Sequence, residues 1–306
     1  MSMYRRSIIG VLLALVIFSC KKDELEVVPD NTAPPYDGIP TVVVQNYVNR
    51  LFIDLIGREP LDVEMDAEVA TLESNSLSLN SRKDLVNKLM TNTDFIQGDS
   101  SYNHAYYRRL YELSKSRTLE AASDAQIDFY IGLEQQAATA DSLGGDSAGL
   151  AEHRFEIEKM NMVKSSWREY KDSLIECDEM LRRMCYNRVY DQINMNSFNY
   201  INATFDDLYQ RFPTQSEFDN AYDMVEYNVP NIIFGQAGTT KRDYIDIMIS
   251  VQEFYEGMIR WSYNTYLARD PSTYEVFTAM NTFWSDHDLQ KVQRDILITD
   301  EYANFD

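Results

Sequence analysis

Apolar residues recur at three- and four-residue spacing along most of the chain. Val48, Leu51, Phe52 and Leu55 fall on one face of a helix of 3.6-residue period. Arg58-x-Pro60 ends that helix, because proline biases the preceding residue away from helix and has no N–H to donate. Pro60 then suits the start of a second helix, with Asp62, Glu64 and Asp66 near its positive end. Leu85, Val86, Leu89 and Met90 mark a third. The pattern over 47–98 is helix, proline turn, helix, loop, helix.

This pattern returns. Tyr47, Asn49, Phe52, Asp54, Leu55, Arg58, Pro60 and Glu64 match Tyr200, Asn202, Phe205, Asp207, Leu208, Arg211, Pro213 and Glu217 at a constant offset of 153. A more worn version holds Ile259, Tyr263, Tyr266, Arg269, Pro271 and Glu275, 58 residues after the second. Each version closes on an acid followed by an aromatic ring: Asp94-Phe95, Glu253-Phe254 and Glu301-Tyr302. Recurrence on this scale predicts supersecondary units that bury their apolar faces on one another. Between the first two versions, residues 103–140 and 150–195 are helix-prone around a break at Gly144-Gly145, which predicts a long αα-hairpin. It either packs on its own body, the simpler expectation, or projects as an arm that grips a partner. The expected fold is all-α: three helical repeat units at 47–98, 200–257 and 258–306, with the hairpin at 99–199 inserted between the first and second.

The stretch Arg50-Leu51-Phe52-Ile53-Asp54-Leu55-Ile56-Gly57-Arg58-Glu59-Pro60, together with Leu85-Val86-Asn87-Lys88-Leu89-Met90 and Asp94-Phe95, resembles two families. One is the helical module of bacterial surface proteins that is itself similar to phycobilisome linkers. The other is the helical domain found beside cytochrome c modules in planctomycete proteins. Both resemblances imply a helical fold and neither implies a catalytic residue. The haem association of the second is not implied here, since the chain has no Cys-x-x-Cys-His.

The N-terminus has a different pattern. Arg5 and Arg6 precede an apolar run of eleven residues, Ile8 to Phe18, and then Ser19-Cys20. Eleven residues of helix are too short for a hydrocarbon core of about 30 Å. A charged start, a short apolar run and a small residue before a cut make a secretory signal at 1–19. The segment resembles a bacterial lipoprotein signal, which implies that Cys20 is lipidated and becomes the mature N-terminus. Lys21-Lys22-Asp23-Glu24 resembles the surface-export signal of lipoproteins in Bacteroidetes-type Gram-negative bacteria. The implied location is the outer membrane, lipid-anchored and facing the cell exterior. Residues 20–46, with Pro29, Pro34, Pro35, Gly38 and Pro40, read as an extended tether.

Composition fits an acidic body held on a membrane by lipid. The 306 residues carry 28 Lys plus Arg and 49 Asp plus Glu, a net charge of −21. Cleavage before Cys20 removes 19 residues, two of them arginine and none acidic, leaving 287 residues and a charge of −23. Such a field repels nucleic acid and anionic lipid headgroups. Acyl chains contribute about 0.8 kcal/mol per buried CH₂, so membrane contact needs no basic patch.

Raw material for catalysis is sparse. His104, His153 and His287 lie in different segments without a second ligand at i+4, and Asp286-His287-Asp288 reads as a helix cap. With Cys20 acylated, Cys177 and Cys185 remain. On a helix they stand about 12 Å apart, beyond disulfide reach, and read as buried or free thiols. The 141–152 segment has the length of a calcium loop, but Leu143, Gly145 and Asp146 occupy positions that need ligands or glycine. Gly235-Gln236-Ala237-Gly238 lacks the spacing of a phosphate loop. No catalytic residue, metal site or cofactor is assigned. Ser142, Ser147 and Ser173 each follow an Asp in the short acceptor pattern for O-glycans in these bacteria. Trp261 and Trp284 are candidate ligand-binding aromatics, although the register of Tyr263 with Phe52 and Phe205 favours a core role. The expected function is that of a non-enzymatic accessory or scaffold subunit on a larger membrane complex, such as a β-barrel transporter, secretion or assembly machine. The alternative is a surface binder of glycan or cell wall.

Overall fold

A computed structural model describes residues 38–305. The signal, Cys20 and Lys21-Lys22-Asp23-Glu24 lie outside the described residues. Among those described are fifteen α-helices and one two-stranded hairpin, so the fold is all-α. The helices fall into four successive groups joined by two short straps.

The first group is α1 (Thr41–Leu55), α2 (Asp62–Ser74) and α3 (Leu79–Thr91). Val48, Leu51, Phe52 and Leu55 are all buried, as their spacing predicts. Helix α1 starts at Thr41, inside the stretch assigned to the tether. Pro40 precedes it and Val44 is buried, so this part of the β-branched Val42-Val43-Val44 run is held in helix by packing rather than by propensity.

The second group occupies the segment between the first two sequence repeats. It contains α4 (Tyr102–Thr118), then α5 (Asp124–Gly144) and α6 (Ser147–Lys171), then α7 (Cys177–Cys185) and the strap α8 (Arg188–Asn194). Helices α5 and α6 are the arms of the hairpin, and Gly145 closes its tip at φ 78°, a left-handed cap. Both readings of the hairpin hold in part. Met160, Val163 and Trp167 are buried against the body. The preceding turns of α6, from Ser147 to Glu158, bury nothing and project about 18 Å at 1.5 Å per residue. The apolar run read as one helix through Cys185 is cut at Ser173, which has φ 56°. Cys177 and Cys185 end the same short helix as buried free thiols.

The third group is α9 (Ser197–Tyr209), α10 (Gln215–Tyr227), the hairpin β1 (Asn231–Ile233) and β2 (Gln236–Gly238), and α11 (Lys241–Ser250). Phe234 and Gly235 have φ of 51° and 76°, the paired left-handed residues of a two-residue hairpin turn. The Gly235–Gly238 stretch is thus a turn and a strand. The fourth group is α12 (Gln252–Leu267), α13 (Thr273–Asp286) and α14 (Leu289–Leu297), followed by the strap α15 (Asp300–Ala303). Helices α9 and α12 cross with no room to spare. A Cβ on Gly257 would lie 1.9 Å from the Leu208 carbonyl oxygen.

The groups correspond pairwise. Tyr47 Oη donates to the Leu297 carbonyl at 3.1 Å, and Tyr200 Oη to the Cys185 carbonyl at 3.0 Å. Tyr302 Oη donates to Asp54 at 2.7 Å, and Tyr190 Oη to Asp207 at 2.8 Å. Leu297 and Cys185, like Tyr302 and Tyr190, differ by 112 in number. Helices α7 and α8 therefore meet α9 as α14 and α15 meet α1, and the inserted segment shares this plan. The α15 strap also brings the end of the described chain back onto its first helix.

Candidate functional site

The repeated Arg and Glu build one latch three times. Arg58, Arg211 and Arg269 follow the first helix of their groups, and Glu64, Glu217 and Glu275 lie in the first turn of the next. Each arginine meets its glutamate with both terminal nitrogens: at 2.7 and 2.9 Å for Arg58, 2.9 and 2.8 Å for Arg211, and 3.0 and 2.7 Å for Arg269. The same Nη1 also donates to the carbonyl of the next residue. The glutamate accepts a backbone N–H at its helix start from Leu61, Thr214 or Ser272. This planar fork fixes the proline turn. Burial pushes Glu64 and Glu217 upward, but the arginine and backbone donors outweigh it and leave both below the usual carboxylate range. For Glu275 the Arg269 bonds dominate and hold it at about 2.

A third carboxylate completes each latch: Asp99, Glu253 and Glu301. Sequence pairing selects the last two correctly. In the first group it selects Asp94-Phe95, and the structure places Phe95 at 83 % exposure, away from the latch. The turn at Gly98, with φ 100°, delivers Asp99 instead, and buried Tyr102 bonds Glu64 at 2.7 Å.

The candidate chemistry is dispersed. His104 stacks edge-on against Trp167 at 4.9 Å. His153 bridges the hairpin arms, 2.5 Å from Glu134 and 3.4 Å from Asp141. His287 meets Glu176, and with Asp178 these three bring ligand atoms within 4.8 Å of one another. Two carboxylates and an imidazole suit a divalent transition cation, and sequence spacing gave no hint of them because 109 residues separate Asp178 from His287. Asp288 caps α14 by accepting from Lys291 N, the role expected for it. Ser142, Ser147 and Ser173 are all exposed, the first two beside the hairpin tip. Trp261 and Trp284 form no shared platform. Trp261 is buried with Arg117 over its ring at 5.5 Å, whereas Trp284 is 38 % exposed and packs edge-on against Tyr255 at 5.2 Å.

Trp284 belongs instead to α13. Of its fourteen residues only Val276 and Phe283 are buried, while Tyr274 and Phe277 are 76 % and 64 % exposed. An apolar face left in water at this density marks an interaction surface. One side of α13 opens on a cleft of about 360 Å³ shared with α14, lined by Tyr263, Tyr274, Ala279, Lys291, Val292 and Ile296 among others. Neither spacing nor composition distinguishes this helix from α2 or α10, since only the packing of its neighbours leaves it bare.

No known protein family, curated protein or solved structure matches the chain. No helix among the described residues is long and apolar enough to cross a membrane.

Proposed function

We propose that the protein is a non-enzymatic accessory or scaffold lipoprotein, anchored through acylated Cys20 at the outer membrane, facing the cell exterior and docking on a larger membrane complex such as a β-barrel machine. The unpartnered apolar helix α13, with Tyr274, Phe277 and Trp284 exposed, carries the docking part of this reading. The signal pattern carries the anchoring part. The latches favour a scaffold, since they hold turn geometry with charge-assisted bonds and leave no free nucleophile or base beside them.

Two measurements test it. Replacing Cys20 by alanine abolishes incorporation of a fatty-acid label and releases the protein from membranes. After mild detergent extraction the wild-type protein co-purifies with a β-barrel partner, and Phe277→Asp/Trp284→Asp loses that partner while keeping its circular-dichroism melt. A clean monomer in several detergents refutes the adaptor reading.

A further inference from the structure

The cleft between the second and third helices is filled differently in each group. In the first, Lys88 of α3 pairs with Glu68 of α2 across it. In the second, α6 packs on α7 with Met160 and Val163 buried. In the third, the β-hairpin plugs it. Ile233 is buried, and Phe234 packs on Phe205 and Tyr209 with ring centres 6.0 and 5.6 Å away. Gly238 passes so close that a Cβ would stand 2.9 Å from Asp243, 3.1 Å from Ile247 and 3.4 Å from Met224. That strand therefore lies between α10 and α11, and only glycine fits at this point.

The fourth cleft is open among the described residues. Ala279 stands four residues after the latch glutamate, where the first group has Glu68. Asp295 stands one residue before the buried Ile296, where the first group has Lys88 before Leu89. The closing ion pair of the first group cannot form here. Tyr263 holds the position of Phe205, the ring that Phe234 covers in the third group, and here it lines the cleft wall. The link between α13 and α14 is only His287-Asp288, too short to supply a hairpin.

We propose that this fourth cleft receives a short β-hairpin or extended segment of a partner protein, an aliphatic–aromatic pair entering it as Ile233 and Phe234 enter the third. The apolar floor of Ala279, Val292 and Ile296 suits such side chains, and Tyr274 stands ready as a wall. The chain's own third group is the template for the occupant. The inference deepens the adaptor reading and rests on it for the existence of a partner.

The probe is the chain's own hairpin, residues 230–239, cyclised to hold its turn and labelled for fluorescence anisotropy. Full-length protein in detergent binds it saturably at concentrations below about 1 mM. Ala279→Glu/Asp295→Lys, which rebuilds the ion pair of the first group across the cleft, weakens binding at least tenfold. Tyr274→Ala, at an exposed rim position, weakens it at least threefold with an unchanged melt. Absence of saturable binding, or equal affinity for the double variant, overturns the proposal. A photo-crosslinking residue at position 274 couples to the probe; coupling to the protein's own residues 21–37 or to a second copy instead also overturns it. Failure of the titration while a barrel still co-purifies removes the cleft as the docking point. Peptide binding with no co-purifying barrel removes the adaptor reading.

Discussion

Arg211→Ala tests whether the latches hold the helical groups together. Arg211 makes a two-pronged contact with Glu217 at 2.8 and 2.9 Å, a further bond to Glu253 at 2.9 Å, and one to the Phe212 carbonyl at 3.0 Å. Its guanidinium also lies 5.0 Å from the centre of the Phe205 ring. Fully buried charge-assisted bonds contribute about 1.5–3 kcal/mol each, and exposed ion pairs about 0.2–1. With side-chain exposures of 33, 20 and 32 % for Arg211, Glu217 and Glu253, the network sits nearer the exposed limit. A loss of about 2 kcal/mol is expected, or roughly 4 °C in Tm for a domain of this size. Arg211→Lys keeps the charge but not the planar fork and loses about half as much. Glu217 has its folded pKa below its unfolded one, so the latch stabilises the fold above about pH 4 and its contribution disappears as pH falls through the folded value. Melts of wild type and Arg211→Ala therefore separate at pH 7 and converge towards pH 2. A difference under about 0.5 kcal/mol at pH 7, or one that grows in acid, refutes the assignment.

Two further outcomes follow from packing and burial. Gly257→Ala gains about 1 kcal/mol of helix propensity, but its methyl meets the Leu208 carbonyl at 1.9 Å and must drive α9 from α12. A net loss of at least about 3 kcal/mol in chemical denaturation is expected; a stabilised variant rules out the close crossing. Burial pushes Asp207 up to about 6, with the Tyr190 hydroxyl and Arg117 opposing the rise. This group binds its proton more tightly in the folded state, so its contribution to stability falls as pH rises from about 4 to 6. Carbon-detected NMR of the Asp207 carboxyl reads a midpoint near 6 in wild type, and Tyr190→Phe moves it higher. A midpoint near 4, or a downward move, contradicts the buried pair.

Much of the fold is legible in the chain's own letters. Helical periodicity is a local property, and so are the proline turns and the Arg-x-Pro-x-x-x-Glu spacing that later proves to be a latch. Phe52 and Phe205 are buried at matching positions because the same local pattern makes the same amphipathic face. The same pattern chose Asp94 for the first latch and missed Asp99, since the choice depends on a left-handed turn at Gly98 that letter matching does not see. Helix α13 illustrates the larger limit. Its sequence is no more apolar than a buried helix requires, and its exposure is a statement about what fails to cover it.

The sequence by itself determined the all-α class, the hairpin tip at Gly145 and the buried free thiols, because each follows from backbone preference or from spacing along one helix. Tertiary structure alone decided which acid closes each latch, that α7 and α8 repeat the roles of α14 and α15, and that three clefts are filled while the fourth is open. Those outcomes rest on contacts between residues tens to hundreds of positions apart. Their energies depend on which surfaces the fold brings together, a property that no single segment carries.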